Sequence, residues 1–224
     1  MKTAFAFAAL LLLAACGSGG PPPPDWKTDA TDLIERYKKH ALLGENTLAE
    51  RYFQQAITAT GSAGRVAETA RLWLVRCATR RAMLIDDPCM EFAELARTEF
   101  HPADAAYHRF LMLDWNGLDA SALPAQHRDL LKAVPDARPD TLQKVGDPLS
   151  RLLDASLLVM RKEADDATLA LAAETASAQG WRQPLLTYLK LRAQRAESQG
   201  NAAEAAALAR RIRLVEDSLS TGHK

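Results

Sequence analysis

Apolar residues recur along most of this chain at helical spacing, three and four positions apart. Leu33, Ile34, Tyr37, Ala41 and Leu42 line one face between Asp25 and Leu43, and Gly44 ends the segment. Leu48, Ala49, Tyr52, Phe53, Ala56 and Ile57 repeat the pattern from Glu45 to Thr60. Gly61 stops that run, as glycine does by accepting the left-handed conformation past a helix. A third helix, rich in Ala, Leu and Val with Trp73 inside, is predicted from Ser62 to about Ile85. Short helices are predicted after Pro88, Pro102 and Pro124, because proline suits a first turn where its missing N–H is not needed. Four more follow: Leu149 to about Lys162, Asp166 to Gln179, Pro184 to Gln199, and Ala202 to about Leu219. No alternating β-branched run argues for a sheet, so the fold class is all-α, built from antiparallel helical hairpins.

The exceptions to this pattern mark the organisation. Val134 to Asp147, crowded by Pro135, Pro139, Gly146 and then Pro148, reads as a hinge or exposed loop. It divides the chain into an N-terminal helical region (25–134), a connection (135–148), C-terminal helices (149–219) and a tail (220–224). Before residue 25 stands an apolar run from Ala4 to Ala15 behind the single basic Lys2, which is the layout of a secretory signal too short to remain as a membrane span. Leu13-Ala14-Ala15-Cys16 closes it.

That tetrapeptide resembles the lipobox of bacterial lipoproteins at every position. The resemblance implies that residues 1–15 are removed and that Cys16 carries a diacylglyceryl group and an acylated amino terminus. Several acyl chains, at about 0.8 kcal/mol per buried methylene, anchor far better than one. Gly17, standing where an aspartate marks inner-membrane retention in similar lipoproteins, implies the periplasmic face of the outer membrane. Residues 16–24 then form a tether, flexible at Gly17 to Gly20 and stiff from Pro21 to Pro24.

Composition narrows the function. Lysine and arginine number 28, as do aspartate and glutamate, and loss of Lys2 leaves 27 against 28. A nearly neutral chain is not a dedicated nucleic-acid binder, which would carry a basic excess. With Cys16 acylated, Cys77 and Cys89 remain as an even pair in an oxidising compartment. One unbroken helix would hold them about 18 Å apart, far beyond the roughly 7 Å limit for a disulfide. Bridging therefore requires the third helix to end near Arg81; two buried thiols are the alternative.

Gly44 followed by Ala49, Phe53 and Ala56 resembles the second half of a tetratricopeptide repeat, and Ala193, Gly200 and Ala205 fall at corresponding places. Ala173, Gly180 and Leu185 do so more loosely, while Leu33 and Ala209 stand where the repeat has aromatics. The resemblance covers about half of the mature chain and implies a short stacked array, with a non-repeating helical bundle as the alternative. Lipoproteins with such repeats resemble assembly factors, so the implied role is a scaffold that holds another envelope protein. The groove inside the array and the basic C-terminal helices, with Arg192, Arg195, Arg210, Arg211 and Arg213, are the expected contact surface.

Catalytic signatures are weak by comparison. His101 and His108 are seven apart, not the four of a helical zinc pair, and His40 and His127 have no acid–base partner nearby in sequence. Ser62, Ser121 and Ser150 lack a nucleophile-elbow context. Asp86-Asp87 and Asp165-Asp166 read as helix caps, and Arg71, Arg76, Arg80 and Arg81 as a solvated face. Trp115 and Trp181 sit at turns and read as cover over the ends of the core. The sequence thus indicates a protein that is not an enzyme, needs no metal or cofactor, and shows no small-molecule substrate. The alternative is a cell-wall hydrolase or its accessory subunit, which a buried carboxyl group of raised pKa in a groove would favour.

Overall fold

Breakers bound several helices of this protein but not all of them: the second runs through Gly61, where the pattern placed its end, to Ser62. The computed structural model describes residues 23–221, of which eleven segments are α-helical and none is a strand. The signal segment, Cys16, the tether up to residue 22 and the last three residues of the tail lie outside the described residues. The helices are α1 (Asp25–Leu43), α2 (Asn46–Ser62), α3 (Val66–Ala82), α4 (Met90–Leu95), α5 (Pro102–Leu111), α6 (Arg128–Lys132), α7 (Arg138–Thr141), α8 (Pro148–Met160), α9 (Asp166–Ala178), α10 (Arg182–Ser198) and α11 (Ala202–Thr221). Gly44, at φ 82°, turns α1 into α2 and donates its N–H to the carbonyl of Ala41.

The long helices stack in the order α1, α2, α3, α8, α9, α10, α11. Helices α3 and α8 are neighbours in space although residues 83–147 run between them, so the short helices form an insert within the stack. Helix α1 also rests on α10, which folds the two ends of the stack towards each other; Arg182 donates to Glu45 across that contact at 3.2 Å. Helix α8 is buried nearly all round, with Leu152, Asp154, Ala155, Ser156, Leu157 and Leu158 at 0% exposure. It is the central strut on which the insert and the C-terminal helices pack.

Residues 135–148, expected as a hinge or exposed loop, are largely helical. They form tight helical turns, Pro135–Ala137, α7 and Leu142–Lys144, and Arg138, Thr141, Leu142 and Val145 are buried against the core. Each proline opens a turn, where it costs no hydrogen bond. One cluster of buried side chains accordingly runs from Ala70 through Leu142 to Leu208, joining what the sequence divides into two regions.

Helix α3 stops at Ala82, three residues before the predicted Ile85, because Leu84 adopts a left-handed φ of 59° and reverses the chain. Cys77 and Cys89 then come within 5.7 Å, Cα to Cα, and are joined by a disulfide. Its two cysteines are 1% and 3% exposed, so the bridge is sealed inside the core.

Candidate functional site

Polar groups that do not belong to the surface concentrate where the insert meets α8. His127 closes the short turn Ala125–His127, and Asp154 lies in the middle of α8. His127 Nδ1 and Asp154 Oδ1 are 2.6 Å apart, at 2% and 0% exposure. Burial pushes the Asp154 carboxyl upward, opposed by the hydrogen bond and charge of His127. Its second oxygen, Oδ2, is buried without a hydrogen-bond partner among the described residues. The imidazole is held between rings, stacked on Tyr107 at 5.7 Å and tilted against Phe110 at 5.2 Å between centroids.

His127 also forms part of the wall of a cleft of about 260 Å³ between α1, α3, α5 and the start of α8. Lys38, Thr79, Tyr107, Gln126, Asp147 and Ser150 supply its other polar side chains, with Val75, Ala78, Leu149 and Leu153 as its apolar wall. Lys38, Asp147 and Leu149 are shared with a second cleft of about 340 Å³ that reaches Leu42 and Trp181. Helix α8 begins at this junction: Asp147 accepts the N–H of Ser150 at 2.7 Å and fixes the first turn. The chain separates His127 from Asp154 by 27 residues, which is why no local motif announced the pair.

Comparison with protein-family models, curated proteins and solved structures found no match.

The basic residues of the C-terminal helices divide into two groups. Arg192 pairs with Glu204 at 3.0 Å, and Arg195 pairs with Asp166 at 2.8 Å, so both tie neighbouring helices together. Arg210, Arg211 and Arg213 are exposed on α11 and make no ion pair among the described residues. Leu214 beside them is 72% exposed. A further cleft of about 350 Å³ opens along α10, lined by Leu169, Leu191, Gln194, Arg195 and Ser198, while α1 also rests on that helix.

The remaining sequence candidates make contacts within the fold. Arg71, Arg76 and Arg80 pair with Asp104, Glu50 and Asp87. Arg81, far from being a solvated side chain, is 3% exposed, donating to the carbonyl of Asp87 at 3.1 Å and contacting the sulfur of Met160 at 3.2 Å. Asp165 caps α9 through the N–H of Thr168, whereas Asp87 pairs with Arg80 and accepts the N–H of Cys89. Cys77, Asp87 and Cys89 group their ligand-type atoms within 4.8 Å, but the disulfide occupies both sulfurs and Arg80 the carboxylate. His101 faces Glu99 at 3.3 Å, and His108 is half-buried against Phe92, its pKa lowered by burial and by Arg81. Trp115 is 8% exposed, donates to the carbonyl of Phe110, and has the guanidinium groups of Arg138 and Arg161 at 4.8 and 4.3 Å from its ring centroid.

Proposed function

We propose that this chain is a bacterial envelope lipoprotein, anchored through Cys16 at the periplasmic face of the outer membrane, whose helical stack holds another envelope protein. The observation that carries the reading is the outward face of α11. Three guanidinium groups within four positions stand free of ion pairs among the described residues, beside a large apolar side chain left in water. An unpaired cationic cluster around an exposed leucine has the make-up of an interface, with an apolar centre and a charged rim complementary to an acidic partner.

Two further features support it. Hairpins such as α1 with α2, turned at Gly44 and closed by Ala49, Phe53 and Ala56 at 3%, 0% and 0% exposure, have the close packing of tetratricopeptide-like scaffolds. No helix among the described residues is long and apolar enough to cross a membrane, so attachment in this reading rests on the acylated cysteine.

Two experiments test the two halves. Cross-linking in cells, followed by purification of the tagged protein in mild detergent and mass spectrometry, should return one reproducible envelope protein; recovery of the chain alone would remove the scaffold role. Cys16→Ala should move the protein from the membrane fraction to the soluble periplasm, and its continued retention in membranes would remove the anchor.

A further inference from the structure

We propose that Met160 is a methionine-oxidation site: a two-electron oxygen donor of the peroxide class converts its thioether to a sulfoxide, and the buried guanidinium of Arg81 binds the new oxygen. Arg81 stands next to last in α3 and is 3% exposed, while Met160 is the last residue of α8 and Met112 follows the end of α5. The ends of three helices therefore meet at one cation, and the partial negative charge of helix C-termini favours it there. Burial acts against it and lowers its pKa from the usual arginine value.

This guanidinium is short of good acceptors. An arginine offers N–H donors in a fixed fork and accepts nothing in return. Nη2 donates to the Asp87 carbonyl at 3.1 Å, and the Asp86 carboxylate stands 3.6 Å away on a side chain that is 97% exposed. The other partners are sulfurs: Nη1 donates to Met160 Sδ at 3.2 Å, and Nη2 reaches Met112 Sδ at 3.8 Å. Nε is buried with no hydrogen-bond partner among the described residues. A thioether is a weak acceptor, and a buried donor that lacks a strong one costs free energy. A sulfoxide oxygen carries partial negative charge, and a hydrogen bond from an ionised donor is roughly twice as strong as a neutral one. At most core positions such an oxygen disrupts the packing. Beside Arg81 it meets donors already in place.

The other sulfurs of the fold differ from Met160 in burial or in partner. Cys77 and Cys89 are joined, so the thioethers among the described residues are Met83, Met90, Met112 and Met160. Met83 is 3% exposed and sealed in the core, and Met90 is 55% exposed on α4, where an added oxygen meets water. Met112 and Met160 are half-buried, and Met160 has the closer guanidinium nitrogen. In the reaction a lone pair of Met160 Sδ attacks one oxygen of hydrogen peroxide, and the O–O bond breaks. The departing hydroxide takes the proton of the transferred hydroxyl group and leaves as water, so sulfur loses two electrons and the peroxide gains them. The side chain is unbranched, and rotation about its last torsions swings the new oxygen onto the Arg81 fork. The modification thereby tightens the junction of α3 with α8, the two helices that meet across the insert.

The test uses the full-length protein carrying Met90→Leu, which removes the exposed sulfur, and treats it with hydrogen peroxide under native conditions beside free methionine as a reagent control. Peptide mass spectrometry should find one added oxygen on Met160 and none on Met83. The oxidised protein should unfold at a Tm roughly 2–4 °C above the untreated sample, as one strengthened hydrogen bond implies in a chain of this size. Met160→Leu in the same background should abolish that rise, which separates Met160 from Met112. Met160→Gln, which brings an amide oxygen to a similar reach without any oxidant, should unfold at a higher temperature than Met160→Leu. Met160 left unmodified in the folded protein while the free methionine is oxidised would overturn the proposal. So would a Tm that falls or stays unchanged on oxidation of Met160, a rise that persists in Met160→Leu, or Met160→Gln unfolding no higher than Met160→Leu.

Discussion

At the scale of single residues, the most costly choice in this chain is Asp154, a carboxyl group at 0% exposure in a helix otherwise lined with leucine and alanine. A charge there survives only because His127 answers it, and removing one partner of such a pair strands the other. Asp154→Ala should therefore lower the unfolding free energy by about 3–5 kcal/mol. Asp154→Asn, which keeps shape and hydrogen-bonding capacity without the charge, should lose far less, and denaturant unfolding of the two variants at one pH distinguishes them. The pH dependence has a definite sign. Because the folded-state pKa is raised, the contribution of this group is fully present below its unfolded value near 3.8 and is lost as pH rises through the folded value. Wild type should thus be at its best relative to Asp154→Asn below pH 3.8 and lose ground as pH rises above it; a difference independent of pH would contradict the burial argument. Nothing in the local sequence foretold this residue. Pattern reading places an aspartate on a solvated face, and only the docking of the insert turned that face inwards.

At the scale of elements, several helix ends were legible at glycine, as at Gly44, Gly180 and Gly200, whereas α2 passes through Gly61 and other helices end at ordinary residues. Helix α1 runs over the predicted Asp25–Leu43, since Gly44 marks its end. Helix α3 does not reach Ile85, because Leu84 takes a left-handed φ that leucine rarely adopts and that no pattern of apolar positions reveals. Leu113 and Lys162 reverse the chain in the same way after α5 and α8, at φ 64° and 61°. Such a conformation costs an L-residue on the order of 1 kcal/mol, which glycine avoids. Lys162 is exposed, so Lys162→Gly should raise the unfolding free energy by about 0.5–1 kcal/mol after the entropy of glycine is offset. That corresponds to a rise of roughly 1–3 °C in Tm, and a fall would show that the lysine side chain contributes more than its backbone costs. The turn at Leu84 also sets the disulfide. The condition read from the sequence, a helix ending near Arg81, is met at Ala82. Closing the 12-residue separation between Cys77 and Cys89 should contribute about 3 kcal/mol by restricting the unfolded chain. Cys77→Ala with Cys89→Ala tests this in chemical unfolding, and an unchanged midpoint and slope would remove the bridge from the account of stability.

At the scale of the whole molecule, the all-helical class was legible because amphipathic periodicity is a property of each segment. The topology was not, because the pairing of α3 with α8 across residues 83–147 depends on contacts that no segment records alone. The same contacts decide which surface is left for a partner. Arg192 and Arg195 look interchangeable with Arg210, Arg211 and Arg213 in sequence, yet the first two are spent on Glu204 and Asp166 within the stack. Helix α11, last in the stack, has no neighbour beyond it among the described residues, and its outward arginines and Leu214 are exposed. Reversing the three charges with Arg210→Glu, Arg211→Glu and Arg213→Glu changes exposed positions that pair with nothing described, and the helical signal and unfolding midpoint should stay near wild type. Cross-link yield to an acidic partner should fall at least tenfold, since like charges would then face each other across the interface. The replacement of Arg192 and Arg195 should act the other way round, weakening the packing of α9, α10 and α11 and lowering the midpoint. Its effect on capture should be no larger than the loss of folded protein. If both sets reduced capture equally at equal folded concentration, the partner would be reading the net charge of the C-terminal helices and not the outward face of α11.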